Sequence, residues 1–164
     1  MKIFSEMIII HEDVAMPKEE RFMPSFWTAD DFDSDGDYYY DGIDGRWTTL
    51  RITKRLPDGQ SVLEVDTFRE KRNYDPAIQE AADLERYIVY WRAGRYQRAA
   101  PHIQSPAVTS LRIETRHLAD YREFLETVAF FLAHGNGIVA NFKELDAARF
   151  HTEFLEPAAP EDIA

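Results

Sequence analysis

Residues 47–69 read WTTLRITKRLPDGQSVLEVDTFR, two β-prone runs joined by a turn. Two runs, 47–55 and 61–69, are rich in Thr, Ile, Leu, Val and Phe, and they flank Pro57-Asp58-Gly59. Branched and aromatic side chains suit a pleated, half-buried surface. Proline presets one turn dihedral and glycine takes the positive φ that a tight reversal needs, so the segment reads as a β-hairpin.

Other elements build outward from this hairpin. Upstream, residues 2–10 put Ile3, Met7 and Ile9 on one side and Phe4, Ile8 and Ile10 on the other, a strand apolar on both faces. Residues 12–46 then lack a regular period and contain Pro17, Pro24 and three glycines. So long an irregular connection is uncommon in a compact domain and marks function or mobility. Downstream, Asp75 is placed to cap a helix with Pro76 at its first position. Ile78, Ala81, Leu84, Ile88 and Trp91 form its apolar stripe, and Gly94 its stop. Its last turns, residues 87–91, are also β-prone, which leaves a strand as the alternative there.

A polar loop with Pro101 and Pro106 leads to a strand at 108–115, where Leu111 and Ile113 alternate with Arg112 and Glu114. Asp120 and Glu123 have the spacing of a capping box opening a second helix. Leu125, Val128, Ala129 and Leu132 form the inner face of that helix, and His134-Gly135 closes it. A short apolar strand at 137–142 follows, then a last helix capped by Asp146 and carrying Phe150, Phe154 and Leu155. The sum is an α+β fold: a mainly antiparallel sheet with two or three helices packed on one face. Residues 1–156 read as one domain and 157–164 as a frayed tail.

Composition narrows the function. The 164-residue chain is 45% hydrophobic and 13% aromatic, enough for a real core. No apolar run approaches the roughly 18 residues of a membrane span. Residues 1–10 lack a signal-peptide pattern, so the expected location is the cytoplasm. Absent cysteine excludes disulfides, thiol nucleophiles and cysteine-based zinc sites. A formal charge of −11 repels nucleic acid and anionic lipid and attracts a basic protein.

That charge is local. Between Asp30 and Asp44 lie seven aspartates (30, 31, 33, 35, 37, 41 and 44) with no Lys or Arg, leaving −4 for the rest of the chain. Tyr38, Tyr39 and Tyr40 sit among them, with Phe26, Trp27 and Trp47 at the margins. One reading is calcium: Asp31, Asp33, Asp35, Gly36 and Asp37 follow the first half of an EF-hand loop. The second half departs from it, because Gly42 stands where a bidentate Glu should close the shell. The same ligands could serve a metal-dependent hydrolase. A second reading is a protein interface, in which carboxylates steer and pair while tyrosine rings supply rigid contact area. The contacts would be Asp33, Asp35, Asp37, Tyr38, Tyr39, Tyr40 and Asp41. A third is a solvated mobile loop.

In size, acidity, lack of cysteine and α+β organisation the chain resembles bacterial polymorphic-toxin immunity proteins. The resemblance rests on residues 30–44 and on the run His134-Gly-Asn-Gly-Ile-Val-Ala-Asn-Phe142. It implies a non-enzymatic protein that neutralises a basic toxin, such as a nuclease, by stoichiometric binding. No cofactor is implied beyond the calcium alternative. Secretion chaperones, also small and acidic, are a further alternative.

Other chemistry-bearing patterns are weaker. Five histidines (11, 102, 117, 134 and 151) form no HExxH pair. His11-Glu12-Asp13 reads as a polar loop after the first strand, with metal ligation as the alternative. No serine or threonine sits in a nucleophile elbow. The glycines after His134 close a helix rather than open one, against a dinucleotide loop. Arg86, Arg92, Arg95 and Arg98 interleave with Tyr87, Tyr90, Trp91 and Tyr96. That pattern fits nucleic-acid stacking, a helix with one basic face, or pairing with the acidic segment.

Overall fold

The structure is a computed structural model, described for residues 2–14, 32–34, 39–41, 46–69 and 82–157. Seven strands form one antiparallel sheet: β1 (Ile3–Glu12), β2 (Phe32–Ser34), β3 (Tyr39–Asp41), β4 (Arg46–Leu56), β5 (Gly59–Arg69), β6 (Pro106–Thr115) and β7 (Ile138–Val139). Their order is β2-β4-β5-β6-β1-β7, with β3 also paired to β4. The hairpin forms as its sequence requires. Leu56 pairs with Gly59 around Pro57-Asp58, and Gly59 has φ +144°, a value rarely open to other residues. Across the centre of the sheet, Val65 and Met7 both lie opposite Leu111.

Strand alternation divides the core into two layers. Met7, Ile9, Ile52, Leu63, Val65, Leu111 and Ile113 face one way and meet Phe124, Leu125, Val128, Phe131 and Leu132 of helix α2 (Leu118–His134). Helix α3 (Ala147–Phe150) joins this layer through Phe150 and continues as a wider turn, His151–Leu155, that adds Phe154 and Leu155. The Asp146 carboxylate accepts from Arg149 N–H at 2.9 Å, the expected cap. Fully burying each large apolar side chain contributes about 1.5–3 kcal/mol, so α2 is held chiefly by this face.

On the opposite face Ile8, Ile10 and Val108 meet helix α1 (Glu85–Arg92) through Leu84, Tyr87 and Ile88. The antiparallel α+β organisation is the one expected. Among the described residues, two helices share one face of the sheet and another covers part of the opposite face. Gly94, at φ +99°, ends α1 as its position predicts. The proposed start of that helix, with Asp75, Pro76, Ile78 and Ala81, lies outside the described residues, as do 158–164 of the tail. The β-prone stretch 87–91 is helical. The strand expected over 137–142 is reduced to Ile138–Val139, followed by a turn. Among the described residues no helix is long and apolar enough to cross a membrane.

One capping expectation is overturned. Helix α2 starts at Leu118 with His117 as its N-cap, and no side chain caps it. Asp120 is already inside the first turn, and its carboxylate is committed elsewhere.

Candidate acidic interface

The acidic segment enters the sheet at its edge. Phe32, Asp33 and Ser34 of β2 pair with Lys54, Thr53 and Ile52. In β3, Tyr39 pairs with Thr49, Tyr40 with Trp47 and Asp41 with Arg46, and a register shift separates Tyr39 from Tyr40. Such a bulge bends a strand. Of the residues singled out in the sequence, Asp33, Tyr39, Tyr40 and Asp41 thus share one sheet edge along β4. Asp31, Asp35, Asp37 and Tyr38 lie outside the described residues, and the calcium-loop reading rests on them. Among the described residues no group of three or more His, Asp or Glu side chains could hold a metal ion.

Strand β4, which supports this edge, is anchored beneath helix α2. Lys54 Nζ lies 2.8 Å from Asp120 Oδ1, and Ser61 Oγ donates to Asp120 Oδ2 at 2.6 Å. Ser61 also meets Thr115 Oγ1 at 2.7 Å, and Thr115 in turn accepts from His117 N–H at 3.1 Å. Glu123 Oε2 stands 4.0 Å from Lys54 Nζ. Burial raises the Glu123 pKa, opposed by Lys54 and reinforced by Asp120. The cluster explains why Asp120 is not a cap: its partners come from 59 and 66 residues away in the chain. The available signal was parity. Lys54 follows Ile52 by two residues and Ser61 precedes Leu63 by two, so both point into the layer beneath α2.

His11-Glu12-Asp13 forms a second cluster, and the expected loop begins only at Asp13. His11 and Glu12 complete β1, and His11 is buried. Its Nδ1 is 2.8 Å from Glu12 O and its Nε2 2.7 Å from Thr109 Oγ1. A carbonyl only accepts, so Nδ1 carries the proton and Nε2 accepts from Thr109. Thr109 is then bonded by Thr67 at 2.9 Å. Both ring nitrogens are occupied, which removes His11 as a metal ligand. Desolvation lowers its pKa to about 4, helped by the charge of Arg69 and by His134 and opposed by the carbonyl bond and charge of Glu12. The Glu12 carboxylate accepts from Gln104 N–H at 2.8 Å and Ser105 N–H at 3.0 Å. Arg69, 1% exposed, donates to Asp13 at 3.1 Å. Gly135 and Gly137 lie against this cluster: a Cβ on either would come within 2.8 Å of the His11 Cβ. Their role is close approach to β1, as a turn rather than a nucleotide loop.

The arginine–tyrosine pattern resolves into a helix face and its following turn. Arg86 lies over the Tyr87 ring at 5.1 Å, and Arg95 over Tyr90 and Tyr96 at 5.2 and 5.5 Å. Tyr87 and Tyr96 are buried, with Tyr96 Oη donating to Ala140 O at 3.0 Å, while the four arginines are exposed. The remaining histidines make separate contacts. His102 bonds Asn136 O, His117 bonds Asp58, His151 faces Glu156 and His134 stacks on Phe130. No protein-family model, no curated protein and no solved structure matches the chain.

Proposed function

We infer that the chain is a non-enzymatic acidic binding protein, acting in the cytoplasm as an immunity protein that neutralises a basic toxin by one-to-one binding. The observation that carries the reading is the concentration of seven aspartates and three tyrosines in residues 30–44, the segment that supplies edge strands β2 and β3. Seven like charges within this short stretch of sequence repel one another, and a cation meeting them offsets that repulsion. A basic protein surface relieves that repulsion, and association with it is accelerated by the field.

The test is protection. Co-expression with a toxin domain encoded beside its gene should restore growth, and the variant Asp33→Asn/Asp35→Asn/Asp37→Asn/Asp41→Asn should fail to do so. Equal protection by that variant would remove the acidic segment from the function.

A further inference from the structure

Among the described residues, strand β1 is covered along only part of its outer edge. On that side Ile9 and Ile10 pair with Val139 and Ile138, and Ala140 N–H donates to Ile8 O at 2.6 Å. The Asn141 side chain then imitates one more strand residue. Its Oδ1 accepts from Ile8 N–H at 2.9 Å, and its Nδ2 donates to Glu6 O at 3.0 Å. Below Glu6, no described residue pairs with β1 on this side. Ile8 and Ile10 direct their backbone groups to this edge, so the two-residue repeat of a strand also turns Phe4 N–H and C=O outward there. The Phe4 side chain is 68% exposed, the most exposed large hydrophobic side chain among the described residues. An open edge carrying an exposed aromatic is a template for another strand.

The edge is complementary to itself. Phe4 and Glu6 share one face of β1, and Lys2, just before the strand, continues their two-residue spacing. A second β1 laid antiparallel with Phe4 opposite Phe4 brings each Lys2 opposite the Glu6 of the other copy and each Ile3 opposite Ser5. Other registers lose this match. Sliding two residues toward Ile8 runs the incoming strand into Asn141, and sliding the other way breaks both Lys–Glu pairs. A strand complementary to Lys-x-Phe-x-Glu, read antiparallel, is Lys-x-Phe-x-Glu again, which identifies the occupant as a second copy of the chain.

We propose that the protein forms a symmetric dimer in which two β1 strands pair antiparallel through residues 2–6, centred on Phe4, so that the two sheets become one. In the strand order β1 lies far from β2 and β3, so the dimer leaves both acidic edges uncovered and stands apart from the proposed toxin binding.

Sedimentation equilibrium of the full chain over a concentration series tests this. Wild type should show a concentration-dependent dimer, and Phe4→Asp should abolish it. Lys2→Glu or Glu6→Lys alone sets two like-charge pairs across the two-fold axis and should weaken the dimer roughly tenfold. The double variant Lys2→Glu/Glu6→Lys restores opposite pairs and should recover most of the affinity. Within its own chain Lys2 bonds Glu114, and Glu6 accepts from Ser110 and lies 4.0 Å from Arg112; the double variant loses both sets of contacts, so neither can produce the recovery. The substituted side chains are exposed, and circular dichroism confirms that each variant is folded. A wild type that stays monomeric at about 0.5 mM, a dimer indifferent to Phe4→Asp, or no recovery in the double variant overturns the proposal.

Discussion

Lys54 Nζ sits 2.8 Å from Asp120 Oδ1, joining the strand that supports the acidic edge to the first turn of helix α2. The two side chains are 14% and 4% exposed, so each has lost most of its water and depends on the other. Removing one partner strands the second, whereas replacing both by apolar groups need not destabilise. Asp120→Ala should therefore lower stability by about 3 kcal/mol, since Ser61 loses its acceptor as well. Lys54→Met/Asp120→Leu should recover most of that loss. Urea midpoints of the three proteins measure the difference, and a double variant no better than Asp120→Ala would contradict the burial argument.

His11 predicts a specific acid sensitivity. Its pKa is lowered from 6.5 to about 4 by burial, so the unfolded chain binds the proton more readily than the native one. Stability from this group is complete above pH 6.5 and is lost as pH falls toward 4, with a slope of at most about 1.4 kcal/mol per pH unit. His11→Gln should be less stable at pH 7 because the Thr109 and Glu12 bonds are disturbed. The gap between the two proteins should narrow from pH 6.5 to 4. Chemical unfolding at several pH values in that window reads it, and a constant gap would mean that His11 does not titrate as its burial requires.

Two glycines should respond to alanine for different reasons. At Gly137 a Cβ would lie 2.6 Å from Ile10 O and 2.9 Å from Ile9 Cγ2, so β1 and β7 must separate. Gly137→Ala should cost about 3 kcal/mol through overpacking. At Gly94 a Cβ would meet Gln97 Oε1 at 4.0 Å, an ordinary contact, but φ is +99°, so Gly94→Ala should cost about 1 kcal/mol from backbone strain. Thermal midpoints rank the two, and equal losses would contradict the distinction.

Those contrasts show what was legible in the sequence. The hairpin around Pro57-Asp58-Gly59, the two-faced strand with Met7 and Ile9 against Ile8 and Ile10, and the stripe of α2 all follow from local period and turn chemistry. Asp146 was readable as a cap because its partner, Arg149 N–H, is three residues away. Asp120 looked the same in spacing, yet its partners arrive from β4 and β5, which no local pattern encodes. His11 read as polar loop because it precedes Glu12 and Asp13. Only the approach of Thr109, Arg69 and Gly135 makes it a buried strand residue. The acidic segment was conspicuous by charge, but its pairing to β4 depends on a register that composition does not carry.

Calcium should be dispensable. With Gly42 where a closing Glu would stand, the segment lacks the bidentate ligand that completes an EF-hand shell. Calorimetric titration with calcium should give no saturable binding near 10 µM, within the range of calcium sensors. Chelator should leave partner binding unchanged. Tight binding abolished by Asp33→Ala would replace the interface reading with a metal site.

If residues 30–44 hold a basic protein, affinity capture from the native host will show it. Wild type and the variant Asp33→Asn/Asp35→Asn/Asp37→Asn/Asp41→Asn are used as parallel baits, with captured proteins quantified by mass spectrometry. Wild type should retain one basic protein at one-to-one stoichiometry, released by salt, and the variant should lose it. Recovery of the same protein by both baits, or of a partner that is not basic, would contradict the account.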